Sequence, residues 1–501
     1  MRKGLLLILF SWAFIAVGQE EIAAKVNYLN FDAFYESDSL IADPVLPSMG
    51  IPYAIGWKYG YFNLTKENRK NHIRIFPLLN TKGSFSNLYY NQVADLNIGA
   101  GFGLETELSK HFYARILFTG NILFRDGTGD KYTRIFANDY WKFPAFKQHL
   151  YTLQPQIRLS YTPYEFINIQ AGIDQNFIGQ GKRSMLLSDY SAPYPFVQLR
   201  TKIWKLEITN LYQFFDEQVK GKKINKFGST HFFNLNATSR FKIGLFESVI
   251  FAAKDTLMNR GYEAAYLNPF LFYRPTEYGL GSQDRLLIGL NTSYQFNSWL
   301  LYGQFAFDDF VLKELIKRTR WWANKYSGQI GAKWKHQVNE NIQLRWLGEL
   351  NFARPFTYSH INPSTVYGHQ GNSLAHPLGA NFVEVYTEFG IYIHSFIIRP
   401  EFFFTQQGSN GEYGYPNHGA NIYWPYNDKS FEYGYKIGGN GKVNRYHAGV
   451  EFTYRIEKLL RTDFFLHSGV EIRQMGNATK NYFFVMAGIR TALWNDRSFN
   501  F

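Results

Sequence analysis

Leu96-Asn97-Ile98-Gly99-Ala100-Gly101-Phe102-Gly103-Leu104-Glu105 alternates without a break: every even position is apolar and every odd one is polar or glycine. In a strand, successive side chains point to opposite faces, so this stretch has one greasy face and one wet face. The same period of two returns near the far end of the chain, where Tyr446, Ala448, Val450, Phe452, Tyr454 and Ile456 alternate with His447, Gly449, Glu451, Thr453 and Arg455. A closed antiparallel barrel in a bilayer satisfies both faces at once. It turns one toward acyl chains and the other toward water, and it pairs every backbone group. The expected fold is therefore all-β, a transmembrane antiparallel β-barrel.

Working outward, period-two segments fall near Asp95 to Leu108, Phe112 to Phe124, Leu150 to Tyr161, Ile167 to Asp174 and Trp204 to Phe214. More follow near His231 to Lys242, Leu286 to Phe296, Leu300 to Phe307, Gly328 to His336 and Ile342 to Phe352. The C-terminal third adds Val383 to His394, Ile397 to Gln406, Tyr446 to Ile456, Asp463 to Arg473 and Tyr482 to Trp494. With a few weaker strands in the gaps, about 16–18 strands are expected, 18 favoured, since single-chain bacterial barrels use even numbers. After Asp308-Asp309 the spacing of Phe310, Val311, Leu312, Leu315 and Ile316 predicts a short helix reaching Arg320. Long loops at Phe356 to Asn381 and Gly408 to Lys442 are the extracellular candidates, because such barrels keep short turns on the periplasmic side.

Arg2 and Lys3, an apolar run from Leu5 to Ile15 and Ala16-Val17-Gly18 read as a removed signal peptide over residues 1–18. Residues 19–70 hold Pro44, Pro47 and Pro52 and little periodicity, which predicts an N-terminal arm or plug; 71–501 is the barrel. Mean hydropathy is only −0.29, as expected when every second residue faces lipid. The 36 Tyr and 47 Phe suit aromatic girdles at the two membrane interfaces. The net charge is +13, or +11 once Arg2 and Lys3 are removed, and it favours outer-membrane lipid, lipopolysaccharide or an anionic surface polysaccharide as partners. With no cysteine there is no disulfide, thiolate metal site or cysteine nucleophile.

The chemical motifs point away from catalysis. Gly179-Gln180-Gly181-Lys182-Arg183-Ser184 lacks P-loop spacing, and neither H-E-x-x-H nor G-x-S-x-G occurs. His360, His369 and His376 share a loop without metal-ligand spacing and read as hydrated. His394 and Ser395 are adjacent, so a strand would send them to opposite faces, which removes a lipase pair. Neither an enzyme nor a cofactor is expected. Aromatic faces stack on sugar rings while amides bind hydroxyls, and one loop combines both types. Its candidate sugar-binding residues are Tyr415, Asn417, His418, Asn421, Tyr423, Trp424 and Tyr426. Basic groups are too sparse in the loops for nucleic acid.

Four blocks add a resemblance. Asn176 to Ser184 continuing through Leu187-Ser188-Asp189 and Ser191 to Pro195, Glu263 to Pro269 with Phe272-Tyr273-Arg274 and Glu277-Tyr278, Trp321 to Tyr326, and Ala375 to Phe382 together resemble the Wzi-like capsule-assembly barrels of Bacteroidota. The gliding-motility protein RemB is similar over the same blocks. The resemblance implies an 18-stranded outer-membrane lectin that helps hold capsular polysaccharide, with helices occluding its periplasmic side, or a part in gliding or secretion machinery. Arg183, Glu263, Arg274, Glu277 and Glu384 are expected to form an ionic network in a partly hydrated lumen. The function expected is therefore polysaccharide anchoring. The alternative is a porin or substrate-specific transporter, in which basic lumen residues would select anions.

Overall fold

The structure, a computed structural model, describes residues 23–27, 45–46, 48–54, 62–63, 72–86, 93–109, 111–125, 141–146, 149–219, 222–254, 260–269, 284–309, 311–408, 417–439, 441–456 and 462–491. Eighteen long strands close one antiparallel barrel. They are β1 (His72–Ser86), β2 (Val93–Ser109), β3 (Phe112–Arg125), β4 (His149–Tyr164), β5 (Ile167–Asp174), β6 (Tyr194–Ile203), β7 (Leu206–Val219), β8 (Lys222–Leu235) and β9 (Phe241–Ala252). Then come β10 (Arg285–Phe296), β11 (Trp299–Asp309), β12 (Lys325–Asn339), β13 (Ile342–Ala353), β14 (Phe382–Ile393), β15 (Phe396–Gln407), β16 (Val443–Ile456), β17 (Thr462–Met475) and β18 (Ala478–Thr491). Each pairs with the next, and β18 returns to β1 through Phe484 opposite Ser86 and Arg490 opposite Asn80, which leaves no open edge. Fourteen predicted segments each match one strand. His231 to Lys242 instead straddles the turn between β8 and β9, and β1 and β6 lie outside the period-two segments.

Burial is inverted relative to a water-soluble protein, as lipid demands. On β2 the apolar Leu96, Ile98 and Phe102 are exposed outward and Asn97 is buried inward. On β12 Ile330 is 69% exposed while its neighbour Gln329, on the lumen side, is 2% exposed. Aromatic rings band both rims of this apolar belt. Near the short turns, Trp299 lies 6.1 Å from Trp334 and 5.8 Å from Trp346, and Phe396 lies 4.9 Å from Tyr454. Toward the other rim, Phe305 stacks on Tyr326 at 5.8 Å, and Phe404 meets Tyr446 at 5.0 Å. Along β12 the girdle residues Tyr326 and Trp334 are eight positions apart. At ~3.4 Å per residue and a tilt near 40° that spans about 21 Å, close to the ~25 Å apolar band of an outer-membrane barrel. The protein is an outer-membrane barrel by this physics, although none of its described helices is long and apolar enough to cross a membrane.

Even-numbered strands run into tight connections such as 165–166, 204–205 and 297–298, while residues 126–148, 175–193, 253–284, 310–324, 354–381 and 408–442 all connect at the opposite rim. That long-loop rim is the outer one by the usual polarity of these barrels. The predicted helix shrinks to the single turn α1 (Leu312–Ile316), at this rim and with no buried residue. Asp308 and Asp309 belong to β11 and do not cap it, and Arg318 and Arg320 take positive φ, which ends it. It therefore occludes nothing on the periplasmic side. Within the 19–70 stretch, Val45–Leu46 pairs with Phe177–Ile178.

Ile330 sits midway between the two girdles, so Ile330→Arg should destabilise the inserted barrel by ~2–4 kcal/mol. Urea unfolding in lipid vesicles reads this, with Ile330→Leu as the neutral control.

Candidate functional site

The lumen is filled from the outer rim by two connecting loops. Arg158 on β4, fully buried, fixes the root of the first: its Nε donates to Asp174 at 2.9 Å, Nη1 to Gln170 at 2.7 Å, and Nη2 to the Gln175 carbonyl at 2.9 Å. From there, residues 175–193 cross the lumen to the inner faces of β11 to β14. Gln304 on β11 donates to the Ile178 carbonyl at 2.9 Å and accepts from the Met185 amide at 2.7 Å. Gln329 on β12 donates to the Arg183 carbonyl at 3.0 Å, and Glu349 on β13 accepts the Lys182 amide at 2.5 Å. Only glycine fits two of these contacts. A Cβ on Gly179, at φ 147°, would lie 2.5 Å from Gln304 Nε2, and one on Gly181 would overlap Glu349 Oε1 and lie 2.8 Å from the Arg183 carbonyl. The glycines that imitate a phosphate loop are thus there for close approach to the wall.

The second loop, 354–381, seals the first. Tyr358 and Tyr367 donate to the Met185 and Leu186 carbonyls, both at 2.7 Å, and Ser188 donates to the Ala375 carbonyl at 2.5 Å. Met185, Leu186, Leu187, Tyr358, Tyr367 and Leu374 form a dry core with Phe196, Phe215, Phe232 and Phe246 from the barrel wall. Glu217 on β7 clamps the assembly, accepting from the Gly371 amide and the Tyr423 hydroxyl at 2.7 Å each, with Lys226 3.4 Å away.

Of the expected ionic network, the structure brings two members together: Arg183 lies 3.8 Å from Glu384 on β14. Glu384 also accepts from Asn351 at 2.9 Å and pairs with His376 at 2.8 Å. Glu263 is elsewhere, 3.6 Å from Arg260, which itself grips Asp284. The loop carrying it lies on the outside of the wall, where Tyr262 packs on Phe214, Phe227 and Phe251. Arg274 and Glu277 lie outside the described residues. The loop histidines are not hydrated: His369 and His376 are fully buried. Burial lowers the His369 pKa to about 4, and burial with the nearby Arg285 and Lys325 charges lowers that of His360 to about 3.

At the outer mouth the sugar-binding candidates divide. Asn417 is spent on the Gly419 amide and the Pro425 carbonyl, Tyr423 points inward to Glu217, and His418 is buried against Phe431. Asn421 is exposed with its oxygen on the Tyr423 amide, and Tyr415 lies outside the described residues. Trp424 and Tyr426 are half-buried. Tyr426 packs at 4.9 Å on Trp322 from the 310–324 loop, and Trp321 is 6.1 Å beyond. Lys429 lies 4.8 Å over the Trp322 ring and pairs with Glu432 at 3.0 Å, while the Trp322 indole donates to Glu432 at 2.8 Å. The buried Lys325 ammonium lies 4.5 Å over the Tyr426 ring and 5.3 Å from that of Trp322, so the result is a partly exposed aromatic platform with two cations against its rings and the Glu432 carboxylate at its rim. Trp321-Trp322 stood out in the sequence only as part of a family block; the platform needs a second loop to become visible.

Fold and mouth together define a plugged outer-membrane β-barrel with an aromatic outer surface. No family model matches the chain, and no curated protein matches it either. Among solved structures, Wzi of Escherichia coli, an outer-membrane protein involved in group 1 capsule assembly and a carbohydrate-binding β-barrel, is similar at TM-score 0.56 and 10% identity. That match covers 94% of this chain and 99% of Wzi, and it is a likeness of fold. Acinetobacter baumannii OccAB2 is similar at TM-score 0.43 and 8% identity, over 83% of this chain and 97% of that one. Pseudomonas aeruginosa OprD is similar at 0.41 and 8%, over 83% and 94%.

Two outcomes test the plug. Glu384→Ala leaves Arg183 and His376 without their carboxylate and should cost about 3 kcal/mol, read as a lower dissociation temperature of the folded barrel on gels. Second, His369 and His360 are held neutral well below the ordinary histidine pKa near 6.5, so a loosened loop binds more protons than a packed one. The packing they support is complete above about pH 6.5 and is lost as pH falls toward 4, so hydrogen exchange of residues 354–381 should accelerate across that window.

Proposed function

We propose that this barrel is a non-enzymatic, lectin-like protein that binds and anchors surface polysaccharide at its outer mouth, in capsule assembly or in surface adhesion and gliding. The observation that carries the reading is the Trp322–Tyr426 platform. Two half-buried rings from different loops pack at a tilt of 36° with centroids 4.9 Å apart, Lys429 and Glu432 border Trp322, and Asp428 accepts from the neighbouring Trp424 indole, so that polar groups for hydroxyl and acid functions surround the aromatic surface. Aromatic faces with a polar rim suit pyranose rings, whose C–H faces stack while their hydroxyls hydrogen-bond. The two loops in the lumen support anchoring over transport, since they fill the path a porin would keep open. The fold likeness to a carbohydrate-binding capsule barrel is consistent with the same role. An anionic capsular polysaccharide or lipopolysaccharide fits the net charge of +13.

Purified full-length protein in detergent should bind capsular polysaccharide or lipopolysaccharide from its own cell surface. Trp322→Ala combined with Tyr426→Ala should weaken that binding by on the order of tenfold per ring lost, with the folded state checked by gel mobility. In planar bilayers the wild type should show no steady open-channel conductance. No polysaccharide binding together with steady conductance would replace this reading with the porin alternative.

A further inference from the structure

Below the plug, three strands present a cluster that neither the ionic network nor the outer platform uses. Glu401 on β15, His447 on β16 and His467 on β17 all face the lumen, and their ligand-type atoms lie within 4.8 Å of one another. Register explains the convergence. Glu401 is opposite Gly449, which is opposite Gly469, and the two histidines each stand two residues before one of those glycines. With no side chain at Gly449 or Gly469, the imidazoles lean into the gap. A Cβ at Gly449 would come within 3.0 Å of His467 Nε2 and 3.1 Å of His447 Nε2.

The distances are informative. Glu401 Oε1 lies 3.5 Å from His447 Nε2 and 3.4 Å from His467 Nε2. Both are long for a charge-assisted N–H···O bond of ~2.7–2.9 Å. They are close to the edge, about 3.4 Å, of a tetrahedron whose centre makes ~2.0–2.1 Å bonds to nitrogen and oxygen, and the two imidazole nitrogens lie within 4.8 Å of each other. His447 is 2% exposed, and neither of its ring nitrogens has a hydrogen-bond partner. Two imidazole nitrogens and one carboxylate oxygen are a zinc-type donor set.

The surroundings suit a ligand shell. The Tyr386 hydroxyl sits between two carboxylates, 2.8 Å from Glu388 and 3.0 Å from the far oxygen of Glu401, which leaves Glu401 Oε1 facing the histidines. Phe403 stacks on His447 with centroids 4.3 Å apart and fixes its plane. Phe484 packs on both imidazoles, at 5.6 and 4.9 Å. Such outer partners orient metal ligands. The Glu401 and His467 side chains keep 22% and 14% of their exposure, so the cluster opens onto the lumen. Lys182 of the plug is the nearest cation, 4.0 Å from Glu401.

We propose that Glu401, His447 and His467 bind a divalent transition-metal ion of the zinc class, three protein ligands with a fourth position open to lumen water, and that the ion staples β15, β16 and β17 beneath the plug. Untagged full-length barrel, stripped with chelator and folded in detergent, is titrated with Co²⁺ and then Zn²⁺. The expected result is one equivalent of Co²⁺ with the strong visible absorption of a low-coordinate site, displaced by one equivalent of Zn²⁺. His447→Ala with His467→Ala should weaken binding by about 100-fold or more in protein that still migrates as a folded barrel. Should that variant not fold, His467→Gln replaces it, and X-ray absorption of wild-type Zn²⁺ protein, which should count two imidazoles, needs no variant. Absence of saturable binding by the wild type, or equal binding by the folded variants, overturns the site.

Discussion

Everything in this molecule follows from one constraint: in hydrocarbon, a backbone N–H or C=O without a partner costs several kcal/mol, so the sheet must close on itself. Pairing of β18 with β1 meets that demand, and closure fixes the parity of every side chain. Once parity is fixed, each strand must supply apolar groups on one side and water-compatible groups on the other. The exposed Leu96, Ile98, Ile330 and Val470 and the buried Asn97, Gln329 and Glu384 are that rule written in burial.

A second consequence concerns the interior. A barrel of eighteen strands encloses more space than wall side chains can fill, so its lumen stays wet or is filled by chain. Here both occur. The 175–193 and 354–381 loops bring tyrosines and leucines to a dry core, and the wall answers with apolar inward residues such as Phe215, Phe232 and Phe246. Elsewhere in the lumen the wall is ionic, with Glu451 held by Arg399 and Arg490, and Arg455 gripping Asp463 at 2.7 Å.

That division explains what the sequence did and did not disclose. Alternation is plain in β2 and β16, where the inner face is polar. It fails in β6, whose inward Tyr194 and Phe196 pack against the plug, and in β1, where Phe76 and Leu78 turn inward and Pro77 interrupts. β8 and β9 merged for the same reason, with Phe232 and Phe246 facing the plug core. The helix is shorter than its apolar spacing predicts because that spacing cannot reveal that Asp308 is committed to Arg285. At the outer mouth, composition placed aromatic and amide residues in the right loop. It could not tell Tyr426, which meets Trp322, from Tyr423, which is turned inward by Glu217 some two hundred residues away.

The absence of native cysteine allows a direct test of the central claim of one closed wall with fixed parity. Single cysteines at Ile330, Val385, Phe402, Phe452 and Val485, each spin-labelled in lipid vesicles, should collide with oxygen dissolved in the bilayer and not with a water-soluble nickel complex. Labels at the neighbouring Gln329, Glu384, Thr453 and Met486 should lose the oxygen contact. Equal accessibility on both parities, or the reverse pattern, would contradict the barrel and everything built on it.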